Sequence, residues 1–226
     1  MRNKEYFTMV RKLYFISILL FLTNLCCGQC PTTVSDIDGN LYHVVQIGHQ
    51  CWMQENLSVT RYSDGTPMQD GSLLTGAISI GDQVYYSYNN DTTNASIFGR
   101  LYTWHAAIKG NSLSLGSTTY PSNIQGVCPS GWHLPSEAEF DTLIIYLDPQ
   151  VIFPSTSNVI FSVAGGLLKS LNYWSSPNWN ATNLYGFSAL PSGMAAPLFN
   201  FPFNGNFTDS SFLGRFWSSS NPVNSV

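Results

Sequence analysis

The sequence predicts a single α+β domain, and three observations carry that reading. Downstream of an apolar leader, short β-prone runs alternate with Asp-Gly turns. One segment, near residues 136–147, has the period of an amphipathic helix. Much of the remainder is loop, rich in Asn, Ser and Trp. At 226 residues with 44% hydrophobic and 14% aromatic content, the chain can build one core and is short for two. The same composition excludes a disordered chain.

Residues 1–28 read as a secretory signal. Arg11 and Lys12 precede "LYFISILLFLTNL", an apolar run too short to span a bilayer comfortably. Cys26 and Gly28 are the small residues of a cut before Gln29, and Met9 is an alternative start. A lipoprotein cut before Cys26 or Cys27 is disfavoured by the approach Thr23-Asn24-Leu25. The mature domain is therefore expected over 29–226, secreted or at the cell surface, with no membrane span of its own. Removing Arg2, Lys4, Glu5, Arg11 and Lys12 from 9 basic and 13 acidic residues leaves 5 and 12, a net charge of −7. The five cations (Arg61, Arg100, Lys109, Lys169, Arg215) form no run, so nucleic acid and anionic lipid are poor partners.

Along the mature chain, "TVSDIDGNLYHVVQIGHQCWMQENL" predicts strands. Asp38-Gly39 signals a two-residue type I′ hairpin, which needs positive φ. Asp36, Asp38 and Asn40 alternate as in half a calcium loop. The glycine comes too early for one, however, and the twelfth position is Ile47 rather than Glu, so the segment reads as a turn. "YSDGTPM" holds a second Asp-Gly turn. "QVYYSYNND" and "GRLYTWHAA" are aromatic-rich, the latter a strand end or a short helix.

"CPSGWHLPSEAEF" places two carboxylates beside His133 and Trp132. Ser136 and Glu139 have capping-box spacing, and Glu137 and Glu139 lie where the helix dipole favours negative charge. Phe140, Leu143, Ile144 and Leu147 make one apolar stripe, and Asp148-Pro149 ends it. Capping, not catalysis, is the predicted role of the acids, and His133 is predicted to be packed and hydrogen-bonded. His43, His49 and His105 have no metal-ligand spacing, and no G-x-S-x-G, H-E-x-x-H or phosphate loop occurs. No cofactor or catalytic residue is implied.

"AGGLLKS" reads as a short Gly-opened segment, followed by loops and a strand near "GFSALPSG". Trp174, Trp179 and Trp217 alternate with amides, Asn178, Asn180 and Asn183 among them. Flat aromatic faces beside uncharged amides suit sugar rings; the alternative is core tryptophans and turn-capping asparagines. Sequons occur at Asn56, Asn90, Asn94, Asn180 and Asn206, relevant only in a glycosylating host. Cys30, Cys51 and Cys128 survive processing, an odd count in an oxidising compartment that leaves one thiol over.

Six stretches in this order carry a family resemblance. They are "VSDIDGNLYHVVQIGHQCWMQENLSVTRYSDGTPM", "GRLYTWHAA", "GVCPSGWHLPSEAEFDTL", "AGGLLKS", "WSSPNWNATNLYGFSALPSG" and "FWSSS". Over residues 33–220 the chain resembles the Fibrobacter succinogenes major paralogous domain, found in exported proteins and of largely unassigned function. "WHLPSEAEF" is also similar to a signature of the formylglycine-generating sulfatase-modifying group. The resemblance implies a C-type lectin-like mixed fold with an N-terminal hairpin, long loops and a sheet closed by late strands. Enzyme activity does not carry over, because that group depends on a late cysteine pair and no cysteine follows Cys128. Against the family pattern the closing strands are missing after "FWSSS", which implies a C-terminal truncation. In the family frame Cys30 and Cys51 lie on neighbouring strands and form the implied disulfide. Cys128, whose implied partner is on the missing strand, is then the free thiol.

These readings converge on an exported, non-enzymatic binding module for a glycan or other surface ligand, with Trp174, Asn178, Trp179, Asn180, Asn183 and Trp217 as the candidate surface. A formylglycine-generator-like or hydrolytic enzyme, or an inert fragment of a longer surface protein, are the alternatives.

Overall fold

The computed structural model of the chain describes residues 29–74, 78, 81–110, 123–153, 162–195 and 207–220. Residues 1–28 and the sequon at Asn206 lie outside the described residues. Contacts divide the chain into Met1–Pro31 and Thr32–Val226, and the fold is that of the second unit.

The predicted α+β class is observed. Strands β1 (Thr33–Ser35), β2 (Leu41–Ile47) and β3 (Gln50–Met53) form an antiparallel meander. The first turn differs from the expected two-residue loop. Gly39 N–H donates to the Asp36 carbonyl and Asp36 N–H to the Asn40 carbonyl, while Gly39 has φ +85° and Ile37 and Asp38 do not have positive φ. A type I′ turn needs positive φ at both central residues, so this is a three-residue loop with glycine in the left-handed position. The reason lies in Asp36: its Oδ1 accepts the N–H groups of Asp38 and Asn40 at 2.9 and 3.0 Å. That arrangement rewards a longer loop. "YSDGTP" repeats the solution, with Tyr62 N–H on the Thr66 carbonyl, Gly65 N–H on the Tyr62 carbonyl and Thr66 N–H on Asp64 Oδ1. Between β2 and β3 only Gly48-His49 intervene, with Gly48 at φ +61°, the pattern of a type II′ turn.

A second small sheet orders β4 (Gln69–Asp70), β5 (Val84–Tyr86) and β6 (Leu101–Tyr102), β4 parallel and β6 antiparallel to β5. All three residues of β5 are buried, as expected of a strand covered on both faces. Tyr85 packs with Val59, Tyr62, Met68, Ala106 and Val127. Val84 and Tyr86, pointing oppositely, meet Leu101, Ala195 and Phe207. Ala195 and Phe207 belong to an antiparallel pair, β7 (Ser192–Ala195) and β8 (Phe207–Ser210). Helix α1 (Thr92–Phe98) starts at Asp91 and stops at Gly99, whose φ is +72° and where a Cβ would sit 2.5 Å from Asn56 Cβ. "GRLYTWHAA" supplies both expected forms, β6 and then α2 (Trp104–Ala107), capped by Thr103.

Helix α3 (Glu137–Leu147) has the predicted cap and stripe. Leu143 and Leu147 are buried beside Ile47, Trp52, Phe187 and Ala164, the last from α4 (Ala164–Leu168); Phe140 and Ile144 flank them. At its start both arms of the capping box form: Ser136 Oγ accepts Glu139 N–H, and Glu139 Oε2 accepts Ser136 N–H at 2.8 Å. Ser136 Oγ–H lies 2.8 Å from the same Oε2, and His133 Nε2 is 2.8 Å from Oε1. Partial burial pushes the Glu139 carboxyl up, but hydrogen bonds from Ser136 and His133 outweigh it and hold the group below its ordinary 4.5.

Ser136→Ala is expected to destabilise the domain by about 1 kcal/mol in urea titrations. Because the folded carboxyl is depressed, its contribution is complete above the unfolded pKa and is lost as pH falls through the folded value. Glu139→Gln keeps a box-forming side chain, so it should cost little near neutrality. Stability measured from pH 7 downward should fall less steeply in that variant than in the parent. An equal acid slope would contradict this assignment.

Candidate functional site

The loop after α4 carries the aromatic–amide interleaving, and its backbone is held by its own side chains. Trp174 is half-buried; its indole N–H donates to the Ala189 carbonyl at 3.0 Å, and Lys169 Nζ sits 4.8 Å from its ring centroid. Ala189 also accepts Ser170 N–H, so 169–170, 174 and 189 form one knot. Asn178 Nδ2 donates to the Ser170 carbonyl at 3.1 Å, while its Oδ1 is buried without a partner. Asn183 closes the far end: Nδ2 reaches Ser188 Oγ at 3.0 Å and Oδ1 accepts Ser188 N–H at 2.8 Å. Asn180 and Asn183 have φ +56° and +46°, a left-handed conformation that asparagine tolerates.

Two of the predicted amides are thus turn-holding groups, and the residue they leave outward is Trp179. Its side chain is 73% exposed, beside exposed Asn180 and Thr182. Trp217, 45% exposed, belongs elsewhere: its indole N–H donates to the Tyr102 carbonyl at 2.7 Å. Leu171, Tyr173 and Phe212 extend the exposed apolar surface near the 174 loop, where Ser175 N–H meets the Ser211 carbonyl.

Two histidines each meet a carboxylate. His133 serves the helix cap, and exposed His43 pairs with Glu55, which accepts both the ring Nδ1 and the backbone N–H of His43 at 2.7 Å. Among the described residues no group of three or more His, Cys, Asp or Glu side chains could hold a metal ion. The alternating Asp36, Asp38 and Asn40 are also turned to other work. Asp36 Oδ2 accepts Asn40 Nδ2 and the Tyr42 hydroxyl. Asp38 Oδ2 accepts Thr60 N–H and Oγ1–H, and its Oδ1 accepts Arg61 Nε–H. Burial pushes the Asp38 carboxyl up, yet the Thr60 and Arg61 donors prevail and hold it below its ordinary value.

Sequence reasoning missed the concavity that this network frames, an open cleft of about 250 Å³. Arg61, Ser63, Ser35 and Ser130 stand around it, with Val127 and Cys128 in its wall. The only signal was that the lone cation Arg61 enters the second Asp-Gly turn. Cys30 and Cys51 are disulfide-bonded, as the resemblance implied, and Cys128 is free. Burial pushes the Cys128 thiol up to about 12. Among the described residues no helix is long and apolar enough to cross a membrane.

A small α+β scaffold carrying side-chain-locked polar loops is thus the class of domain at hand. The chain belongs to the Fibrobacter succinogenes major domain family, whose model matches residues 45–225. Comparison with curated proteins and with solved structures gives no match.

Because the thiolate is the reactive form and Cys128 is both buried and raised, a maleimide reagent at neutral pH should barely label the native domain. In denaturant without reductant, material beginning at Gln29 should take up one equivalent, at Cys128. Rapid native labelling, or a second free thiol, would contradict the arrangement.

Proposed function

We propose that the protein is an exported, non-enzymatic binding module of C-type lectin-like architecture that engages glycan through the loop from Trp174 to Asn183. The exposure of Trp179 carries this reading. A tryptophan left 73% in water on a loop clamped at both ends is an aromatic face carried on a fixed backbone. Such a face binds with little loop entropy to lose, and it suits stacking on the C–H face of a sugar. Exposed Asn180 and Thr182 supply donors and acceptors alongside. Trp174 backs the loop, Asn178 and Asn183 set its shape, and Trp217 contributes at a separate point.

Export is supported by the basic and apolar leader and by a disulfide, which persists in oxidising compartments. A non-enzymatic role is supported by the state of the acids beside His133. Glu139 is engaged by Ser136 and His133, which leaves it poorly placed to shuttle protons.

Trp179→Ala should leave stability within about 0.5 kcal/mol, as surface substitutions do, where a core tryptophan would cost about 3–5 kcal/mol. On a glycan array the same variant should lose the parent's signal. An unchanged array, or a large fall in melting temperature, ends the platform reading. Intact-mass analysis of secreted material should give a chain starting at Gln29; a lipid-modified Cys26 or Cys27 would replace secretion with anchoring.

A further inference from the structure

We propose that the cleft between the β1–β2 turn and residues 127–130 is a second ligand site, built for one neutral sugar ring rather than an acidic one. The inference takes its ligand class from the carbohydrate reading above, but it concerns different residues. At about 250 Å³ the cleft lies just below the range of drug-sized pockets, which limits an occupant to about one ring. Val59, Val127 and Cys128 are buried behind it, Ile37 offers exposed apolar surface at one edge, and the rest of the lining is mainly polar.

The rim groups still free to bond are specific. Arg61 donates through Nε to Asp38 at 2.6 Å and through Nη2 to the Ile37 carbonyl at 3.2 Å. The guanidinium is thereby held in place, and Nη1 has no protein partner among the described residues. Ser63 Oγ accepts Gln125 Nε2 at 2.9 Å, so its own O–H remains available. Ser35 and Ser130 place exposed hydroxyls at the edge. Hydroxyls that both give and take hydrogen bonds and an oriented pair of N–H donors complement the hydroxyls of a pyranose, and the exposed edge at Ile37 gives its C–H surface one apolar neighbour.

Charge decides between neutral and acidic sugars. Two carboxylates, Asp36 and Asp38, flank the cleft region against one guanidinium, and the mature domain over 29–226, with 5 basic and 12 acidic residues, carries −7. A uronate would enter against that field. A cation is disfavoured for a different reason. Asp36 already accepts four hydrogen bonds and Asp38 three, so ligating a metal would require breaking them.

The test is an amide-shift titration of the mature domain with the methyl glycosides of glucose, galactose, mannose and N-acetylglucosamine, and with glucuronate. At least one neutral probe should give saturable shifts at Arg61–Ser63 and Val127–Ser130, and glucuronate should bind at least several-fold more weakly. Ser130→Phe, at an exposed rim position, should fill the cleft and remove the shifts; a melting curve checks its folding. Arg61→Lys keeps a cation for Asp38 but lacks Nη1 and should also weaken binding. Trp179→Ala should leave these shifts intact, so failure of the aromatic platform and failure of the cleft are separately visible. No shift with any neutral probe, shifts that survive a folded Ser130→Phe, or glucuronate binding as tightly as the best neutral sugar would each overturn the proposal.

Discussion

The Asp36 carboxylate, with the Tyr42 hydroxyl it receives, is the interaction on which the rest of the fold depends. Its two oxygens accept four hydrogen bonds, from Asp38, from Asn40 twice and from Tyr42 at 2.5 Å. Bonds to a charged acceptor are worth about 1.5–3 kcal/mol each, far more than an exposed ion pair. Burial, with Asp36 alongside, pushes the Tyr42 phenol well above its ordinary value, so it stays a donor. Its oxygen then accepts Ser58 N–H at 3.0 Å. A carboxylate in a turn thereby grips a segment twenty residues downstream. Asp38 repeats the grip on Thr60 and Arg61.

That segment, residues 56–60, is the strut of the domain although it is no regular strand. Asn56 Nδ2 donates to the Phe98 carbonyl, and Leu57 and Ser58 carbonyls accept Arg100 N–H and Nε–H. Ser58 Oγ–H meets the Ala95 carbonyl, and the Val59 carbonyl accepts the Tyr102 hydroxyl. The end of the described chain adds a second tie. Ser218 accepts the Trp104 indole, Ser219 N–H donates to the Pro135 carbonyl, and Ser220 Oγ accepts Glu137 N–H at the start of α3. Sheets of two or three short strands are weak on their own; side chain–backbone bonds of this kind join them.

This division explains what the sequence disclosed. Helix α3 was legible because its signals are local: Ser136 and Glu139 three residues apart, then one apolar stripe. Both Asp-Gly turns were legible as turns. Their loop length was not, because it is set by Asp36 and Asp64 bonding two residues ahead, which competes with the tight I′ geometry. The strut escaped notice since its partners lie roughly forty residues away and its own pattern is not periodic. At the candidate site, composition singled out Trp174 to Asn183, yet it could not separate Trp179, which faces water, from Asn178 and Asn183, which hold the loop. The cleft was hidden because Arg61, Ser63 and Ser130 meet only after three chain segments converge.

Low charge and many short polar side chains have a further consequence. Where backbone groups are satisfied by Asn, Ser, Thr and Asp rather than by long ladders, a loop can be rigid without regular structure. The Trp174–Asn183 loop is ordered in this way, through Ser170, Ser188 and Ala189, and none of those bonds involves the Trp179 side chain. The cleft is similar: Arg61 and Ser63 are fixed from behind by Asp38 and Gln125, leaving their outward groups unspent. Order is therefore carried by atoms other than the outward-facing ones that the proposed recognition would use. Exposed residues such as Trp179 and Ser130 can then be exchanged with little effect on the scaffold.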